Sequence, residues 1–280
     1  MIFTLSYIMT TYNKLPYLKV TLPYLLKACK EDEEIVIVDG GSTDGTKEYL
    51  EELFLQKKIH QFISEKDYGE VHGINKAILT ANGELIKIIT DDDVYSFSVI
   101  EKCKQFMLQN KNIDVVGFDG FGYNMSNKKS HFRKSNYIEG FRKWQITKEP
   151  FLFCGLSMMI KKKAIAYLGL FNTKFIMVDM EYTMRISSLK TNIAFYMGFG
   201  FINIVNSDSN QLNFFNLMER ERKLVNKMYS SKSAIFNFGQ IKKNLINLII
   251  KIKNKINIAL PIKTEVKTFA TIVNEGINLL

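Results

Sequence analysis

Four consecutive β-branched residues, Ile35-Val36-Ile37-Val38, run without a polar interruption from Glu34 to the carboxylate of Asp39. The run is too short for a helix and lacks alternation, so it reads as a strand covered on both faces, Glu34 to Asp39. Strands of that kind belong to parallel sheets, whose crossovers are helices. The flanking sequence supplies them. Ile2 to Met9 reads as a first strand and Lys14 to Lys30 as a helix, in which Pro16 suits the first turn and Pro23 is expected to kink or split it. The turn Gly40-Gly41-Ser42-Thr43-Asp44-Gly45 leads into a helix through Leu55, then a strand from Ile59 to Ser64, a helix from Glu70 to Thr80 and a strand from Glu84 to Thr90. The expected fold is α/β, a mostly parallel sheet flanked by helices, with a loop after each strand.

The fourth strand ends on Asp91-Asp92-Asp93. Three adjacent anions repel one another and call for a positive partner. Strand ends of open α/β sheets bind ligands, and carboxylate oxygens suit Mg²⁺ or Mn²⁺, which in turn hold phosphate oxygens. A nucleotide diphosphate is the ligand that combination points to. The competing reading is a solvated acidic turn that caps a helix starting near Ser96.

With 280 residues, 46% of them hydrophobic, the chain can bury the core of one large domain. Its net charge of +10 is uneven: residues 1–210 carry 26 lysines and arginines against 24 acids, residues 211–280 carry 12 against 4. The body is nearly neutral, so a nucleic-acid-binding role for the whole protein is disfavoured. The expected organisation is a domain over residues 1–210 with a helical, Lys-rich extension over 211–280. Cys29, Cys103 and Cys154 show no metal-ligand spacing and suit a reducing cytoplasm. No uncharged apolar stretch reaches the ~18 residues of a membrane span, and the start of the sequence has no basic region of a secretory signal. Asp119 to Lys148 reads as an irregular, aromatic and basic insertion shaping a binding face, Phe151 to Ile160 as a strand, and Met180 to Leu189 as a short amphipathic helix.

Six short elements stand in order at loop positions: Thr10-Thr11-Tyr12-Asn13, Ile35 to Thr46, Ser64 to Gly69, Asn75-Lys76, Thr90 to Tyr95, and Asp179 to Arg185. Together they resemble the inverting family 2 glycosyltransferases of the GT-A fold, of the kind that builds bacterial surface polysaccharides, over roughly residues 1 to 205. The resemblance implies that Thr10, Thr11 and Tyr12 contact the nucleotide base, that Asp39 accepts a hydrogen bond from it, and that Asp67 and Gly69 reach the nucleoside. Ser42, Asn75, Lys76 and Asp92 complete the implied donor site. Asp91 and Asp93 are the implied ligands of Mn²⁺ or Mg²⁺, with a D-D reading through Asp92 left open. Asp179 aligns with the catalytic base and Glu181 with a second acid, assigned to acceptor positioning. Val178 replaces the first acid of that segment and His72 stands where relatives carry Asp.

Structural roles compete at several positions. Ser42, Thr43 and Asp44 suit a turn and helix cap, Asp67 an Asx turn, and Asp179 an N-cap beside a Glu181–Arg185 pair. The implied activity is inverting transfer of a sugar from a nucleotide-diphosphate donor, a UDP-sugar by family resemblance, to a glycan or lipid-linked acceptor. The alternative is a non-catalytic scaffold of the same fold. A dehydrogenase is disfavoured because no G-x-G-x-x-G follows the first strand. Ile241 to Leu260 has five lysines and no acid at helical spacing. It suits either an anionic membrane surface, placing a cytoplasmic protein on the inner face of the membrane, or packing on the domain or another subunit.

Overall fold

The computed structural model describes residues 3–125, 127, 130–189, 191–229 and 262–280. Strands β1 (Leu5–Thr11), β2 (Glu33–Asp39), β3 (Gln61–Ser64) and β4 (Leu85–Ile88) are parallel, in the order β3-β2-β1-β4. Beyond β4 the sheet continues through β8 (Met159–Lys161), β6 (Val115–Asn124), β9 (Ile193–Val205) and β5 (Val94–Tyr95). There β8 is antiparallel to both neighbours, β9 is parallel to β6, and β5 is antiparallel to β9, while β7 (Arg133–Lys134) pairs with β6. The mostly parallel sheet is thus present, with reversed strands in its second half.

Helices α1 (Leu15–Ala28), α2 (Thr46–Leu55) and α4 (Phe97–Gln109) cover one face. Helices α3 (Glu70–Thr80), α5 (Tyr137–Thr147) and α7 (Val178–Ser188) cover the other. The β-branched run is divided accordingly: Ile35 and Ile37 pack with Leu18, Leu22 and Leu50, whereas Val36 and Val38 pack with Val71, Ile74 and Ala77. All four side chains are fully buried, which explains the missing alternation. Register pairs Thr11 with Asp39 and Asp39 with Ser64, so the carboxyl ends of β1 to β3 share one edge. The chain leaves β4 on the same side, with Ile89 donating to the Ile8 carbonyl at 2.9 Å.

Three expectations are corrected. Helix α1 runs unbroken through Pro23, because the lost hydrogen bond falls on the exposed side, where water can serve the Lys19 carbonyl. The stretch Asp119 to Lys148 is not wholly irregular: β6 extends to Asn124, and α5 buries Phe141 and Trp144, with the Trp144 indole donating to the Ser187 carbonyl at 2.8 Å. Phe151 to Ile160 is mainly a loop with a tight turn at Gly155–Ser157, and only Met159–Lys161 pairs as a strand. Phe151 and Phe153 anchor it in the helix-covered core.

After β9 come α6's later companions α8 (Asn210–Asn213), α9 (Phe215–Tyr229) and α10 (Ile262–Leu279), α6 itself being the single turn Ile165–Leu168. Val225 of α9 packs on Met177, Met180 and Met184 of the α7 region. Phe269, Ile272 and Val273 of α10 pack on Tyr17, Val94, Ile202 and Ile204. The Lys-rich stretch Ile241 to Leu260 lies outside the described residues. No helix among the described residues is long and apolar enough to cross a membrane.

Candidate active site

The turn after β4 sends its three carboxylates to three different elements. Asp91 accepts from the Thr11 hydroxyl at 2.7 Å, at the end of β1. Asp92 meets the Lys14 ammonium at 3.0 Å and the Asn206 amide at 2.8 Å. Asp93 accepts from the Ile204 backbone at 2.7 Å, Asn203 at 3.2 Å and the Thr90 hydroxyl at 2.6 Å. A helix-capping turn would not look like this. Ser96 occupies the cap of α4, and no side chain closes it.

Crowding raises the cost of charge at these positions. Burial, with Asp92 adding to it, pushes Asp91 up to about 7 against the opposing pull of Lys14 and Thr11. Burial and then Asp92 push Asp93 well above the usual carboxylate range. Lys14 loses hydration, yet Asp92 and Asp91 outweigh that loss and hold its ammonium above its ordinary value. Among the described residues, no three histidine, cysteine or carboxylate side chains converge as a ready-made metal site.

The triplet lines a cleft of about 490 Å³ together with Thr10, Thr11, Tyr12, Lys14, Asp67 and Gly69. Tyr12 is exposed there. Asp67 accepts from the Gly69 backbone at 2.9 Å, in an Asx turn that Gly69 completes at φ +105°. The cleft floor needs Gly73 of α3, because a methyl group on it would collide with the Thr10 hydroxyl.

Four residues assigned to the donor site stand elsewhere. Asp39 is fully buried outside the cleft wall, where Ser42, Ser64 at 2.7 Å and the Gly41 and Ser42 backbone amides satisfy its oxygens. It organises the loop after β2, the arrangement a carboxylate at the end of an apolar strand requires. Ser42 serves the same loop and accepts from the Asn13 backbone at 2.8 Å. Asn75 clamps both backbone groups of Phe171, at 2.8 and 2.9 Å, and Lys76 pairs with Glu65. Helical geometry separates the last two from the lining: they follow Ile74, which lines both chambers, by about 100° and 200° around α3.

A second chamber of about 440 Å³ shares Glu70, Ile74, Thr90, Asp93, Asn203 and Asn210 with the first. It leads to Asp179, in the first turn of α7, with Tyr137, Cys154, Arg133 and Lys134 on its walls. The Gly155 backbone donates to Asp179 at 3.3 Å and the Cys154 thiol also bonds it. Burial nevertheless raises its pKa. Glu221 of α9 fixes the segment that presents Asp179, accepting from Ile176 and Met177 backbone amides at 2.9 and 2.8 Å.

Glu181 does not share this chamber. It is buried in a pair with Arg185 at 2.9 Å and accepts from the Tyr229 hydroxyl at 2.8 Å, while Arg185 also binds the Leu168 and Leu170 carbonyls. Two residues further along a helix is a rotation of about 200°, which turns Glu181 away from the face that carries Asp179. The acceptor-positioning role assigned to it is replaced by a framework role.

Glu70 was not singled out by sequence. It opens α3, lines both chambers and accepts from Asn210 at 2.9 Å. Although its surface opens into the cleft, loss of hydration between the chamber walls, then Asp179 and Asp92, push it up to about 7. Its position directly after the Asp67-Tyr68-Gly69 element was the available signal.

Residues 6–168 match Glycosyl transferase family 2. The chain is 30% identical over 137 residues to the glycosyltransferase GlyG of Streptococcus pneumoniae, a match covering 49% of this chain and 44% of that protein. It is 29% identical over 121 residues to the putative teichuronic acid biosynthesis glycosyltransferase TuaG of Bacillus subtilis, covering 43% and 46%. The matches therefore span a little under half of each relative. Among solved structures, residues 1–349 of S. aureus TarS in complex with UDP-GlcNAc superimpose with a TM-score of 0.59 at 17% identity, covering 82% of this chain and 68% of the other. The mannosyltransferase PcManGT of Pyrobaculum calidifontis, in complex with GDP-Man and Mn²⁺, gives 0.58 at 17% identity, covering 74% and 59%. That likeness is one of fold, the GT-A arrangement of a mixed sheet between helices.

Proposed function

The chain belongs to Glycosyl transferase family 2, and from that premise we propose that it moves a sugar from a nucleotide-diphosphate donor, a UDP-sugar, to a glycan or lipid-linked glycan of a bacterial surface polysaccharide, with inversion. The observation that carries this reading is that the two chambers share wall residues, so the acidic strand end lining the first and Asp179 lining the second belong to one cleft.

The exposed Tyr12 ring stacks on the base, with Thr10, Thr11 and Asp67 around the nucleoside. Asp39 supports this wall from behind by holding the loop after β2. The diphosphate lies against the triplet, where Lys14 supplies one positive charge. The residues fit a divalent cation: Asp91 and Asp93 are crowded carboxylates, and Mg²⁺ or Mn²⁺ is ordinarily held by one or two carboxylates with substrate phosphates completing the shell. When bound, such an ion neutralises charge on the leaving diphosphate. Asp179 takes the proton of the acceptor hydroxyl as that oxygen bonds to the anomeric carbon, while the bond to the diphosphate breaks and the diphosphate departs with the electron pair. Attack from the face opposite the leaving group inverts the centre. The raised pKa of Asp179 suits a base, since it brings proton affinity closer to neutrality.

A hydrolysis screen over nucleotide sugars, with and without Mn²⁺, tests the reading. Turnover that needs the ion supports it, whereas nucleotide binding without turnover of any donor favours the scaffold alternative. The Lys-rich stretch Ile241 to Leu260 is proposed to meet an anionic membrane from the cytoplasmic side. Failure of the full chain to bind anionic vesicles at low salt would remove that role.

A further inference from the structure

Glu70 stands where the two chambers join, and nothing in the transfer step above uses it. Gly69, at φ +105°, turns the chain sharply before α3, and Glu70 then projects from the helix start into the wall of both chambers. Asn210 of α8 donates to its Oε2 at 2.9 Å from across the cleft. Its Oε1 receives no bond from any described residue, and the side chain is exposed. It lines the first chamber with Asp92 and the second with Asp179, so it lies between the diphosphate end and the base end. An acid at a helix N-terminus is favourable in any case. That role would be served equally by a side chain facing bulk water, and it does not account for a carboxylate set between two others.

Given a donor held as proposed above, its sugar ring must occupy this junction. We propose that Glu70 selects the donor sugar: its carboxylate accepts hydrogen bonds from a hydroxyl or amide N–H of a neutral hexose or N-acetylhexosamine and repels a sugar that carries a carboxylate of its own. A charged acceptor with one unoccupied oxygen can discriminate hydroxyl-bearing substrates strongly, because the analogue that fails to donate leaves it unpaired. A hexuronate donor would add one more anion beside Glu70, Asp92 and Asp179, against the opposing pull of Lys14, Arg133 and Lys134 on the chamber walls.

The test compares UDP, UDP-glucose and UDP-glucuronate, which differ in the sugar and at C6 alone, by calorimetry on the full chain well above pH 7, where Glu70 is ionised. The neutral member of every donor pair that is turned over is also compared with its uronate in the hydrolysis assay. The wild-type chain should favour the neutral donor by roughly 100-fold. Glu70→Gln should shrink that preference about tenfold or more and Glu70→Lys should reverse it, each donor affinity being taken relative to that of the same variant for UDP itself. Charge reversal separates recognition from folding, because a merely structural glutamate would not be replaced by lysine with gain of uronate binding. A wild-type chain that accepts the uronate equally, or variants that keep the original ratio while binding UDP normally, overturns the proposal. A wild-type chain that binds UDP but turns over no donor overturns the transfer reading, while the affinity ratios still decide the role of Glu70.

Discussion

Two acidic segments, the turn after β4 and the first turn of α7, each bring neighbouring carboxylates to the cleft region, and they sort them by different rules. In the turn, Asp91, Asp92 and Asp93 diverge to β1, Lys14 and β9, yet all three line the donor chamber. On the helix, Asp179 lines the second chamber and Glu181 points into the framework, paired with Arg185 and Tyr229. A turn can gather adjacent side chains around one ligand. A helix separates residues two apart by more than half a revolution, so an acid pair at that spacing serves two purposes.

The largest expected effect tests the helical half of this contrast. Asp179→Asn should lower transfer by roughly 10²-fold or more with donor affinity near normal, as expected for a residue that acts in the transition state. Glu181→Gln should leave turnover per folded molecule close to wild type. Rates and donor affinities measured side by side decide the matter, and inactivity of Glu181→Gln with an active Asp179→Asn would break the contrast outright.

Next comes the turn. Asp91→Asn should lower activity roughly tenfold or more and weaken dependence on Mn²⁺, as expected if the ion is shared between carboxylate and phosphate. It should leave the melting temperature of the metal-free protein unchanged or higher, because a buried and crowded carboxylate is removed. Full activity in excess chelator would remove the metal assignment. Glu181→Gln should behave in the opposite sense and destabilise the fold by about 2 to 3 kcal/mol, since Arg185 loses its buried partner. Denaturant titration of the two variants gives the comparison directly.

The smallest effect is the pH dependence of stability. Asp91 keeps its proton in the folded chain up to about 7, and Asp93 and Asp179 are raised as well, whereas an unfolded aspartate loses its proton near 4. Between those values the folded state binds more protons, so the metal-free protein should lose stability as pH rises from about 4 to 7. Melting curves across that range should show the loss, and Asp91→Asn should flatten it. A melting temperature that climbs with pH would contradict the raised values.

Much of this architecture is legible in the sequence where burial and chemistry coincide. The run Ile35 to Val38 announces a two-sided strand, and Asp91 to Asp93 mark a strand end that opens into a cleft. Strands β6 and β9 are harder, because β9 is interrupted by Gly198 and Gly200 and their pairing shifts register around Asp119. Gly200 is needed where the Phe118 ring lies against the strand, so a packing requirement masks the strand signal. Helix α5 hides for a similar reason: its two buried aromatics sit among exposed basic residues. At the site, motif order places Asp39, Asn75 and Lys76 near the donor but does not say which way their side chains face. Each turns to the framework. Glu70 passes unnoticed in sequence because an acid opening a helix is commonplace.

The seat of α10 has a consequence for how the molecule is made. Val94, one residue past the triplet, is packed against Val273, so the wall behind the acidic turn joins parts of the chain about 180 residues apart. Gly276 reinforces the seat, for a side chain there would strike Ile202. At 5 to 20 residues per second a ribosome needs roughly 10 to 40 s to bridge that interval. During that time β1 to β4 can assemble while the β5 edge of the sheet stays uncovered. The wall behind the acidic turn is therefore complete only after α10 has emerged from the ribosome.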